Sequence, residues 1–292
     1  MKQLILIPVI IFISNLSLLS QDNGSLLDAL GSTDETIYID NTFKSPRVIN
    51  SHSVEMLGKG VLDFRILHRF GPLKDGLYEM FGLDHATMRM SFDYGVTNHL
   101  TLGVGRSTRN KEFDIMAKYR ILQQSTGARE MPVSVIWASG AMINTLKDPF
   151  AGDLKPNFSR RLSFYHQLIV GRKFSDAFSL QLSPILVHRN VTQSSLDPNL
   201  LFGLELGTRY KLTNRFALVL DYTHTFNRFP NEEGANPLSI GVDIETGGHV
   251  FQLHFSNALG MNERSTTTDN NQSWLKGNFM FGFNLSRFFQ LN

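Results

Sequence analysis

The chain contains no cysteine. That excludes a disulfide scaffold, a thiolate metal site, a cysteine nucleophile and an acylated N-terminal cysteine. It also has almost no surplus of either charge: 28 Lys and Arg stand against 26 Asp and Glu, a formal net charge of +2. Nucleic acid would want a basic face or stripe, and this balance offers none. Long apolar runs are missing as well. Beyond the N-terminus none approaches the roughly 18 residues a spanning helix requires, and a mean hydropathy of -0.11 is too polar for a helical membrane bundle. In a chain of 292 residues, one large domain is the natural expectation. It is either a soluble β protein or a membrane barrel, whose alternating strands hide their hydrophobicity from a window average.

What the chain does have is phenylalanine, 23 of them, and alternation. Residues 274–292 read WLKGNFMFGFNLSRFFQLN. Phe279, Phe281, Phe283 and Leu285 fall on one parity and Asn278, Gly282, Asn284 and Ser286 on the other, the period of a strand with one greasy face. A soluble sandwich alternates too, but has less reason to end on a long Phe-rich strand, so this stretch predicts the closing strand of an outer-membrane barrel. At the other end, residues 1–20 combine Lys2, an apolar core over 4–13 and a small-residue junction near Ser20, which predicts a secretory signal peptide. Residues 21–59 are expected to form a periplasmic N-terminal arm, in which 43–53, carrying Phe43, Arg47 and His52, either tuck into the barrel mouth as a plug or belong to a loosely ordered leader. Residues 60–292 are the predicted barrel.

From residue 60 alternating segments follow one another: 61–70, 87–96, 100–106, 113–122, 132–143, 162–173, 178–189, 201–212, 216–228, 238–245, 249–257 and the closing strand. The expected fold is all-β, an antiparallel up-and-down transmembrane barrel of about twelve strands, an even number. Tight turns at 97–98, 175–176, 213–214 and 246–248 have hairpin-compatible residues. They nearly alternate with longer polar connections at 71–86, 144–161, 190–200, 229–237 and 258–273. Sorting of connections by length is the pattern of periplasmic turns and external loops, and it puts both termini on the periplasmic side.

Residues 43–55 (FKSPRVINSHSVE), 59–71 (KGVLDFRILHRFG), 83–107 with their GLDHATMRMSFDYGVT core, and 241–255 (GVDIETGGHVFQLHF) together resemble a Bacteroidota-type family of membrane-bound outer-membrane β-barrel proteins of unknown function. The resemblance covers most of the chain beyond the signal peptide. It implies an outer-membrane location and brings no catalytic residues with it.

The inward parity carries Asp63, Arg65, Arg69, Arg89, Asp93, Asp114, Lys118, Arg120, Glu205, Arg209, Lys211, Asp221, Asp243 and Glu245. Such charges either select solutes by lining a lumen or fill a narrow barrel with ion pairs, and interspersed signs favour filling for most of them. On the outward parity Ser139 and His166 lie on consecutive strands, a placement similar to the Ser and His of outer-membrane phospholipases, where imidazole activates a hydroxyl toward an acyl ester. No Asn or Asp on the next strand orients the histidine, whose neighbours on that face are Leu180, Leu182, Pro184 and Leu186. His249 and His254 point to opposite faces of one strand, the wrong relation for two ligands on one metal. Gly103, Gly105, Gly203, Gly207 and Gly282 sit inside strands, where close packing explains them better than a phosphate loop. Trp137, Tyr94, Tyr119, Tyr210, Tyr222 and Trp274 are expected in the interfacial girdles.

These readings predict a narrow, arm-gated pore or transporter for small polar solutes in the outer membrane, without cofactor, metal or enzymatic activity. Its expected partners are outer-membrane lipid, the outer-membrane assembly machinery through the C-terminal strand, and a polar solute or periplasmic protein. The alternative is a filled barrel that acts as an interaction scaffold and displays 144–161 and 258–273 outside. More distant is a phospholipase-like hydrolase.

Overall fold

The computed structural model describes residues 35–147, 157–192, 196–228, 234–246 and 249–291. The expected signal peptide, the first part of the arm to residue 34, and parts of the connections at 148–156, 193–195, 229–233 and 247–248 lie outside the described residues. Twelve antiparallel strands form one closed barrel: β1 (Val61–Pro72), β2 (Ala86–Thr97), β3 (Leu100–Ser107), β4 (Phe113–Leu122), β5 (Ser134–Ile143), β6 (Leu162–Lys173), β7 (Phe178–Arg189), β8 (Leu200–Lys211), β9 (Phe216–Thr225), β10 (Leu238–Thr246), β11 (His249–Ser256) and β12 (Met280–Gln290). Each strand pairs with its sequence neighbour, and β12 pairs with β1 to close the ring. Closure leaves no unpaired strand edge, a condition that hydrocarbon imposes on any β structure crossing it.

Burial along the strands is inverted relative to a soluble protein. Arg65, Arg69 and Arg89 head the fully buried side chains by size, while Phe92, Val104, Ile115, Phe202, Leu218 and Phe255 are exposed on the outer face. Water would reward the opposite arrangement, so the outer face is made for lipid and the inner one for polar groups. Connections at one end of the barrel are short; this turn end also receives the arm and the last strand. The other end, the loop end, carries the long connections. Among the described residues no helix is long and apolar enough to cross a membrane.

Four details differ from the sequence reading. Strand β9 stops at Thr225 rather than 228, because the Asn227 side chain takes over the edge bonds, accepting from Phe202 N and donating to Leu200 O, both at 2.8 Å. The closing strand begins at Met280: Trp274–Lys276 forms a 3-10 turn ended by Gly277 at φ 69°, with the Trp274 indole on Leu238 O at 2.8 Å and stacked on Phe279. The connection at 123–131 contains a short strand, Ser125–Gly127, paired with Thr36–Tyr38 of the arm. Residues 258–273 do not stand outside as a displayed loop. Instead 258–267 are largely buried in the barrel, around helix α1 (Glu263–Thr268), which is capped by Asn262 and Ser265 in a reciprocal box.

Candidate functional site

Alternation in β1 to β12 turns one parity of polar side chains inward, and the interior they enclose is where the structure concentrates its chemistry. Asp63, Arg65, Arg69, Arg89, Asp93, Asp114, Lys118, Glu205, Asp221 and Asp243 are buried there, and Arg209 is half-buried. Several pair with one another. Arg65 bonds Asp63, which also accepts from Ser286; Arg89 takes Asp114 by two prongs, at 3.0 and 2.5 Å; Arg209 lies 3.9 Å from Asp243; and Glu205 accepts from Gln167. Lys118 and Asp221 hold the arm, and among the described residues no opposite charge is within ion-pair distance of either.

Residues 42–54 of the arm lie inside the barrel, nearly all buried. They form a small hairpin: Arg47 bridges His52 and Val48 N donates to Ser51 O at 2.9 Å. The tip points three backbone N–H groups, of Ile49, Asn50 and Ser51, at Asp221 Oδ2, at 3.1, 2.7 and 2.9 Å. At the base the Lys118 ammonium collects the carbonyls of Pro46, Ser53 and Glu55 at 3.3, 2.9 and 2.8 Å. Wall amides take most of what is left. Gln181 accepts from Val54 N at 3.1 Å and donates to His52 O at 2.7 Å, Gln252 donates to Val48 O at 2.5 Å, and Asn284 to Ile49 O at 3.0 Å. Arg69 links Asn50 to Asn284, both bonds at 2.9 Å. A buried backbone must satisfy its polar groups, and this one does so radially, on side chains of several strands, instead of joining a sheet.

One sector of the wall is apolar. Met116, Ile136, Ala138, Met142, Ile169, Ile185 and Val187, with Tyr165, face inward from β4 to β7 and enclose Phe43, Val48 and Val54 of the arm. Room for these valines comes from glycine. A Cβ on Gly171 would stand 2.6 Å from Val54, and one on Gly207 2.8 Å from Val48. The gap between the arm and the β11–β12 wall, by Ser45, Arg65 and Gln252, is about 10 Å³, the space of a single water. At the turn end, below the arm, a cavity of about 590 Å³ opens between Asp40, Glu55, Arg120, Gln123 and Arg129.

From the loop end, α1 descends onto the arm. Glu263 Oε1 lies 2.8 Å from Arg47 Nη1 and 3.0 Å from His52 Nε2, and His52 also meets Tyr165 Oη at 2.9 Å. Arg264 is fixed by Glu112 at 2.6 and 2.9 Å and by Asp269 at 2.8 Å. Burial pushes His52 down to about 4, assisted by the charges of Arg47 and Lys118 and opposed by Glu263, so the imidazole is neutral at pH 7. Burial would raise the Glu263 carboxyl, but Arg47 and His52 override it and hold it below the usual range. Glu55 is raised by burial. The junction of arm and helix is thus an ionised Glu263–Arg47 pair beside a neutral His52.

Outside the lumen, Ser139 and His166 are cross-strand neighbours, with Ser139 Oγ 2.9 Å from His166 Nδ1 and 3.2 Å from Tyr165 O. Trp137 stacks on the imidazole, and Leu186 faces it from β7. Among the described residues no carboxylate or amide orients the ring. His254 points inward, buried, and His249 outward. No group of metal-ligating side chains is present among the described residues. Sequence reasoning did not single out Gln181, Gln252, Tyr165 or Glu263.

A family model described as a membrane bound beta barrel domain, DUF5777, matches residues 43–289. No curated protein matches the chain. Among solved structures, the NanC porin is similar at 10% identity and a TM-score of 0.52, over 77% of this chain and 98% of that one. The KdgM porin matches at 8% identity and 0.45, over 78% and 98%. OmpF of Salmonella typhi, in complex with daunomycin, matches at 8% and 0.39, over 78% and 97%. At such identities the likeness to the NanC porin is one of fold.

Proposed function

The chain belongs to the DUF5777 family of membrane-bound β-barrel domains, and from this porin-like outer-membrane architecture we propose a narrow pore for small polar solutes, closed at rest by residues 42–57. The observation that carries the reading is the way the arm is held. Its backbone groups rest on Asp221, Lys118, Gln181, Gln252 and Asn284, polar wall groups that water and a polar solute would satisfy equally well once the arm withdrew. With both termini periplasmic, the arm enters from that side and α1 closes the barrel from outside. Mixed signs along the wall make the pore only weakly ion-selective.

A second reading, a permanently filled scaffold, draws on the apolar sector: withdrawing the arm would put Ile136, Ile169 and Ile185 in contact with water, at about 25 cal/mol per Å². Planar-bilayer conductance of the refolded protein, full length and lacking residues 21–57, at two salt concentrations, separates the two. The pore reading expects steady current from the shortened chain and rare or no openings from the full one. Silence from both, with the shortened barrel and an Asp221→Ala variant shown to be folded, would leave the scaffold.

A further inference from the structure

The wall has a weak line set by a proline. Pro184 lies in the middle of β7, a strand paired on both sides. Proline in an interior strand is unusual, because it cannot donate to the ladder. The register of β6 with β7 runs from Gln167–Ile185 straight to Val170–Leu182, with no pairing of Leu168 to Pro184 or Ile169 to Ser183, whereas β8 pairs Leu204 with Pro184 normally. The missing N–H therefore faces β6, and the Leu168 carbonyl loses the donor that residue 184 would supply. On the lumen side of this break Gln167 Oε1 and Ser183 Oγ are buried without partners. On the lipid side a groove of about 400 Å³ opens between Trp137, His166, Leu168, Pro184, Leu186 and Phe202.

The groove is apolar except at its rim, where the Ser139–His166 pair stands on an otherwise apolar belt. Ser139 Oγ–H has two acceptors, His166 Nδ1 at 2.9 Å and Tyr165 O at 3.2 Å; with the hydroxyl on the nearer, Nδ1, the His166 Nε2–H points away from the pair, and among the described residues it has no protein acceptor. In hydrocarbon such a donor is costly to leave unmet. We propose that this groove is a binding site for a single membrane phospholipid, its acyl chain lying along Pro184 and its ester carbonyl accepting from His166 Nε2. The occupant follows from position: the groove is continuous with the lipid-facing belt of Leu182, Leu186 and Phe202, where acyl chains are already the solvent. The polar rim supplies what plain hydrocarbon would not use.

Trp137 and Trp274 are the chain's two tryptophans, so in a Trp274→Phe background Trp137 reports from the groove wall. The folded full-length barrel, delipidated in detergent, is titrated with phosphatidylethanolamine brominated on one acyl chain, and Trp137 quenching is followed. The site predicts saturation at one lipid per barrel. His166→Leu moves the midpoint about tenfold, the loss of one net hydrogen bond, while His166→Gln, which keeps a donor, leaves it near the wild-type value. A brominated alkane of equal length, lacking the ester, binds His166→Leu and wild type alike. Quenching that rises without saturation, or that is the same in His166→Leu and wild type, overturns the proposal. So does an unquenched Trp137 in a barrel that migrates as a dimer, which would give the groove to a second copy.

Discussion

Asp221 and Lys118 divide the arm's backbone by charge, the anion taking the N–H groups of the tip and the cation the carbonyls of the base. Hydrogen bonds to ionised groups are the stronger kind, and here each ion replaces an edge-to-edge ladder. Removing Asp221 would leave three N–H groups buried and unmet. Asp221→Ala is therefore expected to weaken arm docking by about 3 kcal/mol, roughly a hundredfold. The absence of native cysteine provides the measurement. Ser51 is buried, so a Ser51→Cys thiol is enclosed there and labels with maleimide only when the arm comes out. An unchanged labelling rate in Asp221→Ala would mean that the arm is held elsewhere. Parity alone placed Asp63, Arg65, Arg69, Arg89 and Asp221 on one face of their strands, since a strand leaves a side chain only two directions. It could not separate residues that pair with the wall from residues that grip the arm, because that depends on what enters the lumen. The amides of Gln181 and Gln252 carry no charge to draw notice. The apolar inward run through Ile136, Ala138, Met142, Ile169, Ile185 and Val187 was in the sequence, and it is the signal that something apolar lies inside.

At the level of elements, the arm and α1 enter from opposite ends and touch at Glu263. Either piece alone would leave a buried charge unpaired, so their removal should be coupled. Glu263→Gln and Arg47→Met are each expected to raise Ser51→Cys labelling, and the double variant less than the product of the two, with a coupling of at least about 1 kcal/mol; multiplicative effects would show that helix and arm act independently. The seat offers a test that leaves the arm's own sequence intact. Gly171→Leu puts a side chain where Val54 packs, and is expected to expose Ser51→Cys more than tenfold while the barrel stays closed on itself; a buried thiol in that variant would show that the seat yields. Strand existence was readable because alternation over eight to twelve residues admits one period only. The ends were not. Asn227 stops β9 with its side chain and Trp274 turns away to cap Leu238 O, and both are tertiary events. Helix α1, of sequence ERSTTT, had no apolar stripe to announce it.

The whole molecule responds to acid through the same junction. In the docked arm His52 is held down to about 4 against an ordinary 6.5. The released arm thus binds more protons as pH falls below 6.5, and docking, complete above that value, is progressively lost toward pH 4, by up to about 3 kcal/mol. Glu55, raised by burial, works in the other direction. Labelling of Ser51→Cys, normalised to an exposed control thiol, should rise on acidification from pH 7 to 5, and His52→Gln should flatten it; a flat wild-type profile would put the control elsewhere. The arm is joined to β1 by Gly58, Lys59 and Gly60, and Gly60 is itself strapped to Gly95 O and Leu291 N, both at 2.8 Å. A blocker on so short a tether never dilutes. Its effective concentration at the seat is on the order of millimolar, so reclosure is a first-order event whose rate is indifferent to how many barrels the membrane holds. A free peptide of residues 42–57 would have to reach about that concentration to compete with the attached copy, and far less to occupy a barrel from which the arm has been cut.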